Sequence, residues 1–174
     1  HQHASYRRQR QDVYKRQIQS LDKKMSDILC DDSWMGNCAK YQLNSGGKRF
    51  RAILALLASK IFGLSKQVSH DIAICCEFIH NASLIHDDLQ DRDLLRRGLP
   101  TIWNRFGDHT AINLGDLFIS ASFEIISKIK TRPDLKCLAI EELSKTIKQT
   151  LKGQSIEILS SSDFNLKMGD YEST

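Results

Sequence analysis

The stretch LIHDDLQDRDLLRRG, residues 84–98, decides what kind of chain this is. It places Asp87, Asp88 and Asp91 directly after an apolar run. On a helix of about 3.6 residues per turn, Asp87 and Asp91 lie one turn apart on one face, while Asp88 is rotated away. Two carboxylates so placed repel each other unless a cation lies between them, and Mg²⁺ is commonly bound by one or two carboxylates together with phosphate oxygens. We therefore expect Asp87 and Asp91 to ligate Mg²⁺, and Asp88 to bind water or orient a neighbour.

Two arginines follow the aspartates. Arg96 and Arg97 carry planar guanidinium groups whose donors match the oxygens of a phosphate. The carboxylates would bind a metal, and the metal and the arginines would bind phosphate oxygens. Together they predict a site that holds a diphosphate and promotes its departure. A run of charges is more often a solvated surface. That alternative fits Asp87 and Asp88 poorly, because they follow the apolar residues 84–85.

Further motifs accompany this stretch in a fixed order: GGKRFRA at 46–52, HNASLIHDDLQD at 80–91, RRGLPTIW at 96–103, INLGD at 112–116 and GQSIE at 153–157. With these motifs the chain resembles the trans-isoprenyl diphosphate synthases, the polyprenyl synthetase family, over roughly residues 40–174. The DDxxD motif alone is weak evidence because terpene cyclases share it. Its combination with GGKR upstream and RRG downstream is specific.

The resemblance implies an all-α fold, an isoprenoid-synthase-like bundle of long antiparallel helices around a central cavity. It implies a prenyltransferase that condenses an allylic diphosphate with isopentenyl diphosphate, head to tail. The product is a longer polyprenyl diphosphate whose new double bond is trans. It also implies Mg²⁺ as the cofactor and a homodimer for the full-length protein. Such a reaction needs no protein nucleophile.

The resemblance also gives roles to the basic residues. Lys48, Arg51, His80 and Arg97 would hold the diphosphate of isopentenyl diphosphate, and Arg96 would meet the allylic diphosphate. From the residues alone, Lys48 and Arg51 lie at i and i+3 and could face one anion. The plainer alternative for that segment is a helix end followed by solvated basic residues.

His80 precedes Asp87 by two helical turns and so lies on the same face. A single histidine on a helix is more often an ordinary packed side chain, but this alignment favours contact with the substrate. His86 points about 100° away from Asp87. We interpret His86 as packing or as a supporting contact, not as a metal ligand, and Trp103 as packing in a loop.

Three residues further along are assigned by the resemblance only. Gln154 lines the allylic chain near the reacting carbons, and Glu157 supports the water ligands of the metal. Asp116, in INLGD, has a similar supporting role. Without the family, Gln154 and Glu157 are typical of an exposed helix surface.

Small residues one turn before the aspartates bear on product length. The growing chain should extend along the helix that carries the aspartates, past Ala82 and Ser83. An aromatic side chain there would occupy volume that the product needs. We therefore expect a product of geranylgeranyl length or longer, with the final depth set further on, near Phe50, Ile53 or the C-terminal half of the domain.

Composition supports one soluble globular domain. The chain has 174 residues, of which 41% are hydrophobic and 26% charged. The formal net charge of +4 comes from residues 1–17, which hold five basic residues and one acidic residue. The remainder has 20 basic and 20 acidic residues, which argues against a nucleic-acid surface on the folded part.

Residues 1–17 do not resemble the family, and they lack the apolar core of a secretory signal. We interpret them as an unrelated basic leader, disordered or non-native, ahead of a domain at 18–174. No apolar run reaches the 18 or so residues that span a membrane. The cysteines show no metal-ligand spacing and predict reduced thiols in a cytoplasmic protein: Cys30, Cys38, Cys75, Cys76 and Cys137.

The apolar pattern is helical throughout, and nothing in it demands a strand. Helices are expected near 18–30, 35–44, 48–61, 67–95, 108–129 and 134–160, with loops at 96–107 and 161–174. Asp108 is placed to cap the fifth of these helices.

The family pattern continues beyond the motifs present here. Its second aspartate-rich motif, and a Lys-Thr pair that follows the GQ motif, do not occur between Gln154 and Thr174, so we expect an N-terminal part of the catalytic domain that is inactive by itself. Two alternatives remain. A class I terpene cyclase shares DDxxD and the fold but lacks GGKR and RRG, because it binds no isopentenyl diphosphate. A non-catalytic subunit of a heteromeric synthase commonly loses the aspartates, which are present here.

Overall fold

The computed structural model describes the backbone of residues 2–162 and the side chains of residues 16–159. The chain divides into two compact units, His1–Ile129 and Lys130–Thr174, which are considered separately. The loop predicted at 161–174 lies mostly outside the described residues.

The first unit contains the helices α1 (Gln2–Leu29), α2 (Trp34–Asn44), α3 (Phe50–Ile61), α4 (Lys66–Gln90), α5 (Ile102–Phe106) and α6 (Asp108–Lys128). Between α4 and α5 lies a short antiparallel hairpin of β1 (Leu95–Arg96) and β2 (Leu99–Pro100). The second unit contains α7 (Pro133–Ser162). The predicted all-α class is confirmed.

The centre of the core lies between α4 and α6. Phe78 of α4 and Phe118 of α6 meet edge to face with ring centroids 5.3 Å apart, and both rings are fully buried. Ile74, Ile85 and Leu114 are fully buried around them. Burial of a large apolar side chain stabilises by about 1.5–3 kcal/mol. This packing holds α4 along its length and so fixes the residues at its C-terminal end.

Two helix starts show why the chain turns where it does. Ser33 caps α2, since its hydroxyl accepts a hydrogen bond from the backbone N–H of Gly36 at 3.0 Å. A Cβ on Gly36 would lie 2.1 Å from Asp31 Oδ1, so the turn before α2 requires glycine. Ser65 caps α4 by accepting from the N–H of Val68 at 3.4 Å.

Several predicted boundaries are wrong. α1 begins at Gln2 and not near residue 18, because the segment is rich in Arg and Gln, which favour helix, and has no Gly or Pro. The interpretation of 1–17 as unrelated to the family stays a prediction. α4 ends at Gln90 and not near 95, since Arg92 adopts a left-handed φ of 57° that a right-handed helix cannot continue.

The segment predicted as a loop at 96–107 contains β2 and α5. Arg97 and Gly98 both have positive φ, 55° and 79°, as the two central residues of a type I′ turn require. The apolar pattern did not demand these strands, each of which has only two residues. Gly107, and not Asp108, occupies the cap position of α6, and the Asp108 carboxylate instead pairs with Arg92 at 2.9 Å.

Candidate active site

A cavity of about 630 Å³ lies between the start of α3, the second half of α4 and the hairpin turn. Its lining includes Lys48, Arg51, His80 and Arg97, the four residues predicted to meet one diphosphate. They come from three separate segments of the sequence, which the fold brings together. A concave site lined by several cations concentrates anions.

Two glycines carry the chain into this cavity. Gly46 and Gly47 have φ values of 88° and 143°. A Cβ on Gly47 would lie 3.0 Å from Arg97 Nη1 and 3.4 Å from Arg49 Nη1. Arg97 Nη1 also donates a hydrogen bond to the carbonyl oxygen of Gly46. The glycine loop and the hairpin turn are thus in direct contact, and a side chain at residue 47 would disturb it.

Lys48 lies in this loop and not in a helix. α3 begins at Phe50, because Arg49 adopts a left-handed φ of 49° that no right-handed helix contains. The helical i and i+3 argument for Lys48 and Arg51 is therefore wrong. Both nevertheless line the cavity, since the loop places Lys48 there and the first turn of α3 places Arg51.

The two arginines of the hairpin, Arg96 and Arg97, contact different partners. Arg97 contacts Gly46, as described, while Arg96 binds Asp88 through Nε and Nη2, each 2.6 Å from Oδ1. Asp88 is only 2% exposed. The hydrogen bond that Arg96 donates to Asp88 raises the pKa of Arg96 above its usual value, despite opposing desolvation. Asp88 therefore orients Arg96.

His80 is held as a neutral base. Its Nε2 lies 3.1 Å from Arg51 Nη1. Burial, as the largest cause, and the charges of Arg51 and Arg97 lower the pKa of His80 to about 4. A guanidinium group can only donate, so Nε2 accepts and the ring proton lies on Nδ1. The positive charge of this cavity therefore belongs to Lys48 and the arginines.

The remaining two aspartates lie at the C-terminal end of α4. Asp91 caps the helix, its N–H donating to the Asp87 carbonyl at 2.8 Å, and it is exposed, while Asp87 is half-buried. Within the described part of the chain, no group of three or more His, Cys, Asp or Glu side chains is arranged to hold a metal. Two carboxylates one turn apart nevertheless fit Mg²⁺, which completes its coordination with water and phosphate oxygens.

His86 points towards α6. Its Nε2 lies 3.4 Å from the Ile112 carbonyl oxygen and 3.7 Å from Asp116 Oδ1. A Cβ on Gly115 would lie 2.1 Å from the same nitrogen, so the glycine of INLGD makes room for this ring. The Asp116 side chain itself is 67% exposed.

The two small residues proposed to control product length occupy different environments. Ala82 is 2% exposed and belongs to the hydrophobic core. Ser83 is half-buried, and its hydroxyl donates to the His80 carbonyl at 2.9 Å.

The other predicted residues lie outside this cavity lining. Gln154 and Glu157 are one turn apart on α7, in the second unit, and their roles stay predictions. Trp103 lies on α5 and not in a loop, and its indole N–H donates to the Asp93 carbonyl at 2.8 Å.

Sequence reasoning missed the two charged residues Arg49 and Glu77 in the cavity wall. Both are buried, with 8% and 2% of their surface exposed. A signal was available for Glu77, which is a single carboxylate inside the apolar run of α4 and so needs a buried partner. No such signal was available for Arg49, because the sequence alone does not distinguish it from the basic residues beside it.

Comparisons with known proteins show what the chain is similar to. A family model described as polyprenyl synthetase matches residues 32–174. Geranylgeranyl diphosphate synthase of Methanosarcina mazei is 38% identical over 122 residues, which are 69% of this chain and 37% of that protein. Farnesyl diphosphate synthase of Haemophilus influenzae is 36% identical over 155 residues, 86% of this chain and 52% of that protein.

Solved structures show the same fold. Geranylgeranyl pyrophosphate synthetase from Pyrococcus horikoshii superposes with a TM-score of 0.83 and 26% identity, covering 94% of this chain and 52% of that one. The chain thus spans between 37% and 52% of the length of the relatives named here.

Proposed function

The chain belongs to the polyprenyl synthetase family, and we propose that the whole protein is a prenyltransferase. It joins an allylic diphosphate to isopentenyl diphosphate, head to tail, and the new double bond is trans. The observation that supports this most is the cavity of about 630 Å³ that collects Lys48, Arg51, His80 and Arg97. Asp87 lies two turns beyond His80 on the same helix, or about 10 Å along its axis. That spacing suits two substrates bound side by side, one in the cavity and one at the aspartates.

The cavity would hold the diphosphate of isopentenyl diphosphate. Lys48 and Arg97 supply charge, and Arg51 supplies a planar pair of donors held by the neutral His80. Arg96, held by Asp88, would face the diphosphate of the allylic substrate. Gln154 would line the allylic chain, and Glu157 and Asp116 would support the metal's water ligands.

Asp87 and Asp91 would hold Mg²⁺. When bound, the metal supplies positive charge that stabilises a leaving diphosphate. In the reaction, the bond between the allylic carbon and the diphosphate oxygen breaks, and the electron pair leaves with the diphosphate. The double bond of isopentenyl diphosphate then forms the new carbon–carbon bond, and the departing diphosphate accepts the proton whose loss restores a double bond. The basic side chains stabilise the charge that develops on the departing oxygens.

The product is proposed to be of geranylgeranyl length or longer, and the whole protein a homodimer in the cytoplasm. The names of the relatives include both farnesyl and geranylgeranyl diphosphate synthases, so product length is a separate question. Among the described helices, none is both long enough and apolar enough to cross a membrane.

The proposed function is tested by condensation assays on the whole protein with labelled isopentenyl diphosphate. Asp87→Ala and Asp91→Ala should each lower kcat by about a hundredfold or more, as loss of a charge-stabilising group does, and wild-type activity should require Mg²⁺. The matched control is Asp93→Asn, which removes a nearby carboxylate outside the DDxxD spacing. Turnover of Asp87→Ala at the rate of this control would refute the metal site.

A further inference from the structure

Arg49 and Glu77 form a buried ion pair in the wall of the cavity. We propose that these two are positioning residues, which fix the glycine loop 46–47 and thereby place Lys48 and Arg51 to bind a diphosphate. This inference rests on the proposed function, since it names the groups that hold the same site in shape.

Arg49 joins three helices through one guanidinium group. Its Nε donates to Asp22 Oδ1 of α1 at 2.7 Å, and its Nη2 donates to the carbonyl oxygen of Leu43, in the last turn of α2, at 2.9 Å. Its Nη1 lies 3.9 Å from Glu77 Oε2 of α4. The donors of a planar guanidinium point in fixed, divergent directions. A lysine ammonium could keep the charge but not all of these contacts.

Glu77 joins α4 to the start of α3. Its Oε1 accepts a hydrogen bond from the backbone N–H of Ala52 at 3.0 Å. That N–H belongs to the first turn of α3, where backbone donors have no partner within the helix. The helix start receives no side-chain hydrogen bond from its own cap residue, Arg49. The carboxylate of Glu77 therefore acts as the cap, and its charge suits the N-terminal end of a helix.

The pair determines which basic side chains face the cavity. Lys48 and Arg51 are exposed, whereas Arg49 between them is buried. The left-handed backbone of Arg49 is unfavourable for a residue with a Cβ. Its contacts with Asp22, Leu43 and Glu77 offset that cost. Without these contacts nothing would stabilise the left-handed conformation of Arg49, and the backbone of the loop would no longer have a fixed conformation.

Arg49 also lines the cavity, so its charge could instead act on the anion directly. The two roles differ in what a lysine does. A direct charge is retained in Arg49→Lys, whereas the geometry that positions the loop is lost. Arg49→Lys should therefore behave like Glu77→Gln, although one variant keeps the cation and the other removes an anion.

The test measures binding of inorganic diphosphate to the chain by titration calorimetry. Arg49→Lys and Glu77→Gln should each weaken binding about tenfold or more, which is about 1.4 kcal/mol. The matched control is Asp71→Asn, because the Lys24–Asp71 pair, at 2.6 Å, also joins α1 to α4 but does not touch the loop. The control should bind diphosphate as the unsubstituted chain does.

Three calorimetric results would overturn the inference. The first is affinity within about twofold of the unsubstituted chain in Glu77→Gln. The second is full affinity in Arg49→Lys, which would show that charge alone suffices. A loss in Asp71→Asn equal to that in Glu77→Gln would show a general effect of destabilisation and would also refute it.

A second readout does not depend on the ligand. In hydrogen exchange, the Ala52 amide should be protected and should exchange faster in Glu77→Gln, with the amides in the middle of α4 unchanged. Unaltered exchange at Ala52 would refute the network. Failure of the unsubstituted chain to bind diphosphate, with Ala52 behaving as expected, would count against the proposed function instead.

Discussion

At the scale of single residues, His80 shows how neighbouring charges set the chemistry of the cavity. Burial, as the largest cause, lowers its pKa together with the charges of Arg51, Arg97, Arg96 and Arg49, from 6.5 to about 4 in total. Between about pH 4 and 6.5 the unfolded chain therefore binds more protons at this residue than the folded chain does. The free energy of unfolding must rise with pH across that window. The contribution is complete above pH 6.5 and is lost as the pH falls towards 4.

This linkage predicts a difference between the wild-type chain and His80→Gln. A glutamine can still accept from Arg51 but does not titrate. Urea titrations at matched pH give the unfolding free energy of each protein. As the pH falls from 7 to 4.5, the wild type should lose more unfolding free energy than the variant does. His70, whose pKa is also lowered, chiefly by burial, is present in both proteins and cancels. A pH-independent difference would contradict a neutral His80.

A second prediction concerns Gly47. Alanine there would meet Arg97 Nη1 at 3.0 Å in a backbone conformation with φ of 143°. Gly47→Ala should weaken diphosphate binding at least several-fold in the same calorimetric assay. Gly63→Ala is the control, because Gly63 also has a positive φ, 69°, but nothing lies within 4 Å of its Cβ position. Gly63→Ala should destabilise the chain without changing diphosphate affinity, and equal losses in both variants would contradict the contact.

The resemblance to the polyprenyl synthetase family was enough to nominate Lys48, Arg51, His80 and Arg97, which the fold brings into one cavity. It could not show that Arg49 is buried, because three basic residues close together look alike until backbone torsions are known. Asp88 and Arg96 were predicted in general terms, but their mutual hydrogen bonds depend on where α4 ends.

At the scale of elements, long helices were easier to predict than their ends. Apolar periodicity located α4 and α6, since each has many buried positions on one face. It could not find a hairpin whose strands have two residues each, because alternation needs a longer run to be visible. The turn signal was Arg97-Gly98, but an arginine with positive φ is uncommon.

The close approach of α4 and α6 gives a third prediction. A Cβ on Gly115 would lie 2.1 Å from His86 Nε2, so Gly115→Ala should force the ring away and lower the free energy of unfolding by about 1–3 kcal/mol, as overpacking does. Gly153→Ala is the control, since Gly153 lies in helix α7 with nothing within 4 Å of its Cβ position. Alanine favours helix over glycine by about 1 kcal/mol, so the control should be neutral or stabilising. A stabilised Gly115→Ala would contradict the packing.

At the scale of the whole molecule, the two units differ in which of the predicted site residues they contain. The cavity, its basic lining and the aspartates all belong to the first unit. Gln154 and Glu157 belong to α7 in the second, so their proposed contacts with substrate and metal water stay predictions from the family pattern. Product length likewise depends on the whole protein, because this chain spans 37% of the geranylgeranyl diphosphate synthase that it matches.

Two adjacent residues of α4 allow product length to be tested in the whole protein. Ser83 is half-buried on the helix face shared by His80 and Asp87, whereas Ala82 belongs to the hydrophobic core. Ser83→Phe should therefore shorten the products while leaving the first condensation largely intact. Ala82→Phe should overpack the core, cost about 1–3 kcal/mol of stability, and lower Tm more than it alters the products.

Chromatography of the dephosphorylated products and thermal unfolding of each variant distinguish these effects. Ser83→Thr is the control, because it keeps the hydroxyl that donates to the His80 carbonyl and adds only a methyl group. Its products should match those of the wild type. If Ser83→Phe condenses normally and its products keep their length, the growing chain does not pass this face of α4. Shortened products from Ala82→Phe alone would place the channel on the side of the helix that packs against the core.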